Sequence, residues 1–357
     1  MRAAFLVSLE VLGGCGMEPL GAAETTYADI TYADTECDPT RCGTNSPVID
    51  TLNFHELNVD GLENAQHLRL LGLMQGGVAY RPHVIHGKLS GINTTAPIPM
   101  ISGAALTGSQ LIIQEQNGNK FAITIQSVGS LHYWAVLPGV TQDNIPRLET
   151  YNLQWVSLVG GRPQPVCGNP AGEPTGSKED TLGMTARTAV VFEGDRIDTV
   201  TKSVSPTIEP AWFNIGCAGH AIAKLALTGH TEAAKSDGYV TSTLERQTML
   251  KMIVGDYCGH GTAFTAPGEP LVWRDDRGWM PFWNPNVNSP VEARWTSTGA
   301  ACLGAPRLDV NVPSPWPQGL GNPVADAIKW ECSTLPQCAD SNPQDQGGMH
   351  LVSANPI

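Results

Sequence analysis

Ala218-Gly-His-Ala-Ile-Ala-Lys-Leu-Ala-Leu-Thr228, closed by Gly229, and Ser242-Thr-Leu-Glu-Arg-Gln-Thr-Met-Leu-Lys-Met-Ile-Val254, closed by Gly255, are the two stretches of this 357-residue chain that read as well-marked helices. The second carries its own punctuation. Ser242 and Glu245 have the spacing of a capping box, in which each side chain satisfies a backbone N–H of the first turn. Met249, Leu250, Met252 and Ile253 give a broad apolar face, and Gly255 suits a left-handed stop. Two such helices joined by a short loop should pack antiparallel. That arrangement sets Cys217, at the start of the first, beside Cys258, just past the second, and predicts a Cys217–Cys258 disulfide. Cys167–Cys302 follows by elimination.

Upstream, the signals are strands. Gln110-Leu-Ile-Ile-Gln-Glu-Gln116 and Lys120-Phe-Ala-Ile-Thr-Ile-Gln126 flank Asn117-Gly118-Asn119, a turn that accepts positive φ, so a hairpin is predicted. Leu131–Leu137, Tyr151–Leu158 and Thr188–Phe192 read as further strands, and 262–273 as a hairpin turning at Pro267-Gly268. The fold class is therefore α+β, an antiparallel β-rich N-terminal part followed by a disulfide-linked module with two antiparallel helices and a hairpin. The segments are 1–15, 16–50, 51–165, 166–310 and 311–357. The last is Pro-rich, with a short helix expected over 324–330, a terminal loop closed by Cys332 and Cys338, and loosely held final residues.

The chain begins with a single basic residue and a short apolar stretch, then Leu12-Gly13-Gly14-Cys15, which resembles a lipobox. Cys15 is thus the expected lipidation site after a 15-residue signal peptide, and Gly16 is permissive for export to an outer membrane. Residues 16–50 repeat Thr-Tyr-Ala-Asp at 26–29 and 31–34, and Arg41 is their one basic residue among many acids. They read as an acidic tether; a flexible coil of that length reaches roughly 30–35 Å. Cys37 and Cys42 can close a small loop within it.

Net charge is −13, with charged residues at 15%. Nucleic-acid binding has no cationic basis, and no apolar run is long enough for a spanning helix. Membrane contact is expected through the lipid anchor. Export to an oxidising compartment, with an even number of cysteines beyond Cys15, favours four disulfides among Cys37, Cys42, Cys167, Cys217, Cys258, Cys302, Cys332 and Cys338.

Against that structural use stands an enzymatic one. Cys217 at a helix N-terminus would have a lowered thiol pKa, and His220 or His260 could serve as its base, with Asp256 nearby, as in a hydrolase. Cys217, His220, Cys258 and His260 could alternatively ligate a metal, although Cys258-Gly-His260 is tight for zinc. Asp256, Asp275, Asp276 and Glu292 could be pictured as glycosidase acids, but Asp275-Asp276-Arg277-Gly278 reads as a turn. Trp273, Trp279 and Trp283 are expected to be core rather than a sugar platform. His83 and His86 have ordinary surface roles. No cofactor is called for, and a protein or glycan partner is left open.

Phe213-Asn-Ile-Gly-Cys217-Ala-Gly-His-Ala-Ile-Ala-Lys224, Met249-Leu-Lys-Met-Ile-Val-Gly-Asp-Tyr-Cys258-Gly-His-Gly261, Glu292-Ala-Arg-Trp295 and Gly299-Ala-Ala-Cys302-Leu-Gly-Ala-Pro-Arg307 occur in that order. Together they resemble the bacterial ADYC domain, over about 160–310. The naming tetrad is present as Gly255-Asp256-Tyr257-Cys258. Relatives carry cysteines where this chain has Leu225 and Met249, which implies that an apolar contact here replaces a bridge between helices. The resemblance implies a disulfide-stabilised exported module. It implies no chemistry, because the family has no known activity.

Overall fold

A computed structural model describes residues 46–93, 100–168, 187–265, 272–275, 277–281, 291–307, 328, 331–338 and 351–354. The expected signal peptide and most of the tether, with Cys15, Cys37 and Cys42, lie outside these residues. So do the Pro267-Gly268 turn, Asp276, Trp283 and, apart from Ile328, the expected 324–330 helix.

One large antiparallel sheet dominates. Its strands, in chain order, are β1 (Glu56–Asn58), β2 (Leu68–Gln75), β3 (Val78–Ile85), β4 (Lys88–Asn93), β5 (Ile101–Ser102), β6 (Gln110–Glu115), β7 (Lys120–His132), β8 (Arg147–Ser157), β9 (Gln164–Pro165), β10 (Thr188–Gly194) and β11 (Glu209–Cys217). The spatial order is β1-β11-β10-β8-β7-β6-β2-β3-β4-β5, with β9 pairing the end of β8. The Asn117-Gly118 hairpin forms as expected, with Gln110 opposite Thr124 and Gln114 opposite Lys120.

The sheet curls, so that the β3–β4 turn lands on β10. There Glu193 accepts from the backbone N–H of His86 at 2.8 Å and of Gly87 at 3.1 Å. Both turn residues have positive φ, and the carboxylate satisfies two amides that the turn leaves unpaired. Two cores result, one on each face. Inside the curl lie Leu57, Leu70, Ile113, Ile123, Leu153, Val191, Phe213 and Ile215. Alternate residues of the same strands, Val190 and Phe192 among them, face the helices. Ala189-Val-Val-Phe192 is apolar throughout because β10 is covered on both sides.

The helices are α1 (Ala221–Leu227) and α2 (Thr243–Val254). They pack on each other, and α1 packs on β11 and β10. Close approach is possible because Gly216 lacks a side chain; a Cβ there would sit 2.6 Å from the Ala223 nitrogen. The capping box at Ser242 and Glu245 is present, and Gly255 closes α2 at φ 67°. From Arg246 onward every residue of α2 is buried, so it is a central helix and not a half-exposed one. α1 begins later than expected, because Ala218-Gly219 turns first, with Gly219 at φ 86°.

A smaller sheet covers the far side of α2. It comprises β12 (Val272–Arg274), β13 (Val291–Thr296), β14 (Gly299–Leu303) and β15 (Leu351–Ala354), in the order β12-β15-β13-β14. Two expectations change here. Residues 262–265 form no strand, and β12 pairs instead with β15. The final residues are not all loosely held, since β15 lies between two strands with Leu351 and Ser353 buried. The division at 165/166 also runs through one sheet, because β10 and β11 sit between β8 and β1.

Candidate functional site

The tetrad Gly255-Asp256-Tyr257-Cys258 follows α2, where four backbone carbonyls lose their helical partners. Each of its members ties that end down. Gly255 supplies the left-handed turn; a Cβ would lie 2.7 Å from the Phe264 carbonyl oxygen. Asp256 is fully buried and accepts from Lys251 Nζ at 2.5 Å and from the Gly261 amide at 2.9 Å. Lys251 Nζ also donates to the Thr201 carbonyl at 3.0 Å. Tyr257 stacks on Trp295, ring centroids 5.0 Å apart, and its hydroxyl donates to Glu292. Cys258 is bonded to Cys332.

Glu292 and Arg307 complete this buried cluster; neither is exposed to solvent. Arg307 grips the carboxylate with Nε at 2.5 Å and Nη2 at 3.1 Å. The same guanidinium donates to the carbonyls of Met252 at 2.9 Å and Ile253 at 3.3 Å. It therefore caps the helix and places a cation where the helix dipole is negative. Burial drives the Tyr257 hydroxyl far above its ordinary pKa, so it remains a donor.

The expected cysteine–histidine site is dispersed. Cys217 is disulfide-bonded to Cys167 and belongs to the core inside the curl. Cys258 packs against the core on the helix side. The expected Cys217–Cys258, Cys167–Cys302 and Cys332–Cys338 pairs are corrected to Cys167–Cys217, Cys258–Cys332 and Cys302–Cys338. The reason is alternation. Cys217 ends a strand, opposite Ala189, and its side chain points to the face away from α2. Nor does it sit at a helix N-terminus, since α1 starts at Ala221. His220 is buried, and its pKa is lowered to about 3 by burial and then by the charges of His55, Lys224 and Lys202. A base that weak is poorly matched to neutral pH. Asp256 is held by Lys251, and His260 is exposed on the loop beyond.

Among the described residues, no three His, Cys, Asp or Glu groups come together as metal ligands. Asp275 caps its turn by accepting from the Trp279 amide at 2.6 Å. Trp273 and Trp279 are core, as expected. His230 meets both edge-on, and Arg277 lies over Trp279.

A second buried ionic group had no forecast. Arg246 Nε lies 2.9 Å from Asp195, and its Nη1 lies 3.1 Å from Glu232 and donates to the Thr241 carbonyl at 2.8 Å. Burial raises the Asp195 pKa to about 6, against the opposing pull of Arg246. The sequence gives little sign of it, because Arg246 stands between Glu245 and Gln247 as a residue of an exposed helix face would.

Comparison with known proteins finds one family. The ADYC domain model matches residues 103–309. The match thus begins after β5 and ends after Arg307, leaving out β1–β5 together with Cys332 and Cys338. No curated protein and no solved structure matches the chain.

Proposed function

Because the chain belongs to the ADYC domain family, we propose that it is an exported lipoprotein, anchored through Cys15 to the outer membrane, serving as a binding or structural module of the cell envelope. The observation that carries this reading is the sulfur. All six cysteines among the described residues are paired in three disulfides, which persist in an oxidising compartment. Of the acids near them, Asp256 is held by Lys251 and Glu292 by Arg307, both in buried pairs. Leu12-Gly13-Gly14-Cys15 supplies the anchor, and the acidic 16–50 segment the spacing.

The test is the fate of Cys15. The mature chain from native membranes should begin at an acylated Cys15 by intact mass, and Cys15→Ser should move it into the soluble fraction. An unmodified Cys15 in a soluble chain defeats the anchoring. Full turnover of any ester or amide substrate by the fully oxidised protein would defeat the non-catalytic role.

A further inference from the structure

The loop between β8 and β9, Leu158-Val159-Gly160-Gly161-Arg162-Pro163, ends in two adjacent apolar side chains. Val159 is 91% exposed and Leu158 51%. The backbone beneath them is held, for the Leu158 amide donates to the Lys120 carbonyl at 2.9 Å, and the Gly160 amide to that of Ser157 at 3.2 Å. Lys120 and Arg162 are exposed beside the pair. The neighbouring acid, Glu115, accepts from Asn119 at 3.0 Å. In a chain of net charge −13, this is an apolar tip with a local basic flank.

The chain enters the described structure near the same end. The Val48 amide donates to the Val166 carbonyl at 2.9 Å, and the Val166 amide to that of Leu153 at 3.0 Å. Val166 directly follows β9, the strand that leaves the tip. It lies seven positions after Val159 along the chain, a span of at most about 24 Å. If the segment 16–45 serves as the tether its sequence suggests, a coil of that length would span about 30 Å. A bilayer holding Cys15 is therefore within reach of the tip.

We infer that the 158–162 tip is a second membrane contact, Leu158 and Val159 entering the acyl boundary of the bilayer that holds Cys15 while Lys120 and Arg162 meet lipid phosphates. One acyl-anchored point leaves a domain free to tumble; a second, apolar point fixes which face meets the lipid. This inference rests on the anchoring proposed above.

Two arms keep the readings apart. In the first, the full-length Cys15→Ser chain, which carries no lipid, is sedimented with vesicles of phosphatidylethanolamine and phosphatidylglycerol. Binding should fall about tenfold or more in Leu158→Asp/Val159→Asp. It should weaken with salt and be unchanged by Val200→Asp, an exposed apolar position elsewhere. In the second, hydrogen exchange is measured on the acylated chain in the same vesicles, where the 158–162 amides should slow. Equal vesicle binding by the double variant, or unprotected 158–162 amides, overturns the inference. So does loss of a dimer in the double variant with vesicle binding intact, which assigns the tip to a second copy. If Cys15 proves unacylated, the first arm still decides.

Discussion

Glu292 and Arg307 have no access to water, and the guanidinium of one is paired with the carboxylate of the other. Removing one partner of such a pair leaves an uncompensated buried charge, whereas removing both does not. Glu292→Gln should cost about 3–5 kcal/mol in urea unfolding, and Glu292→Gln with Arg307→Met should recover part of it. A loss below 1 kcal/mol would mean that the pair is not buried as described. The histidines make a pH prediction. His220 and His230 both have pKa values lowered to about 3, chiefly by burial, against 6.5 when unfolded. The unfolded chain binds these protons between pH 6.5 and 3 and the folded chain does not. Stability therefore rises with pH across that window, by about 1.4 kcal/mol per pH unit and per histidine. Asp195, raised to about 6, opposes this between pH 3.8 and 6, and two histidines outweigh one acid. His220→Asn should flatten the slope in denaturation curves taken at successive pH values.

Elements were legible where local chemistry alone decides. The Ser242–Glu245 box, the Gly255 stop and the Asn117-Gly118 turn each satisfy backbone groups within a few residues, and each formed. Partners were not legible where alternation decides. Cys217 reads as helical from its Ala-rich sequel, yet strand phase sends its side chain to Cys167. Arg307 gives no hint in sequence that it caps a helix ending more than fifty residues earlier. Nor does Leu351-Val-Ser-Ala354 announce a central strand. The element that depends most on distant chain is α2, whose end is bound to Cys332 across a separation of 74 residues. On a chain-entropy estimate, Cys258→Ser with Cys332→Ser should lower unfolding free energy by about 4 kcal/mol. Hydrogen exchange should report the loss first at Met252–Tyr257.

At the scale of the molecule, the fold is two cores on opposite faces of one sheet, and the sulfurs respect that division. Peptide mapping without reduction should recover Cys167–Cys217, Cys258–Cys332 and Cys302–Cys338. A Cys217–Cys258 peptide would refute the assignment of those residues to opposite faces. The family match, 103–309, falls short of both the entry of the chain and the strand β15 that closes the small sheet. A fragment cut to the matched residues would lose β1–β5 and β15, and with them most of one side of the curled sheet.

The order of the pairs along the chain has a consequence for biogenesis. Cys167 and Cys217 are successive, but 258–332 and 302–338 interleave. An oxidase acting vectorially on an emerging polypeptide joins thiols as they arrive, which yields a 258–302 mispair. Reaching the native connectivity then requires shuffling by a thiol–disulfide isomerase. Recombinant yield should accordingly depend on that catalyst, and far less on oxidising power.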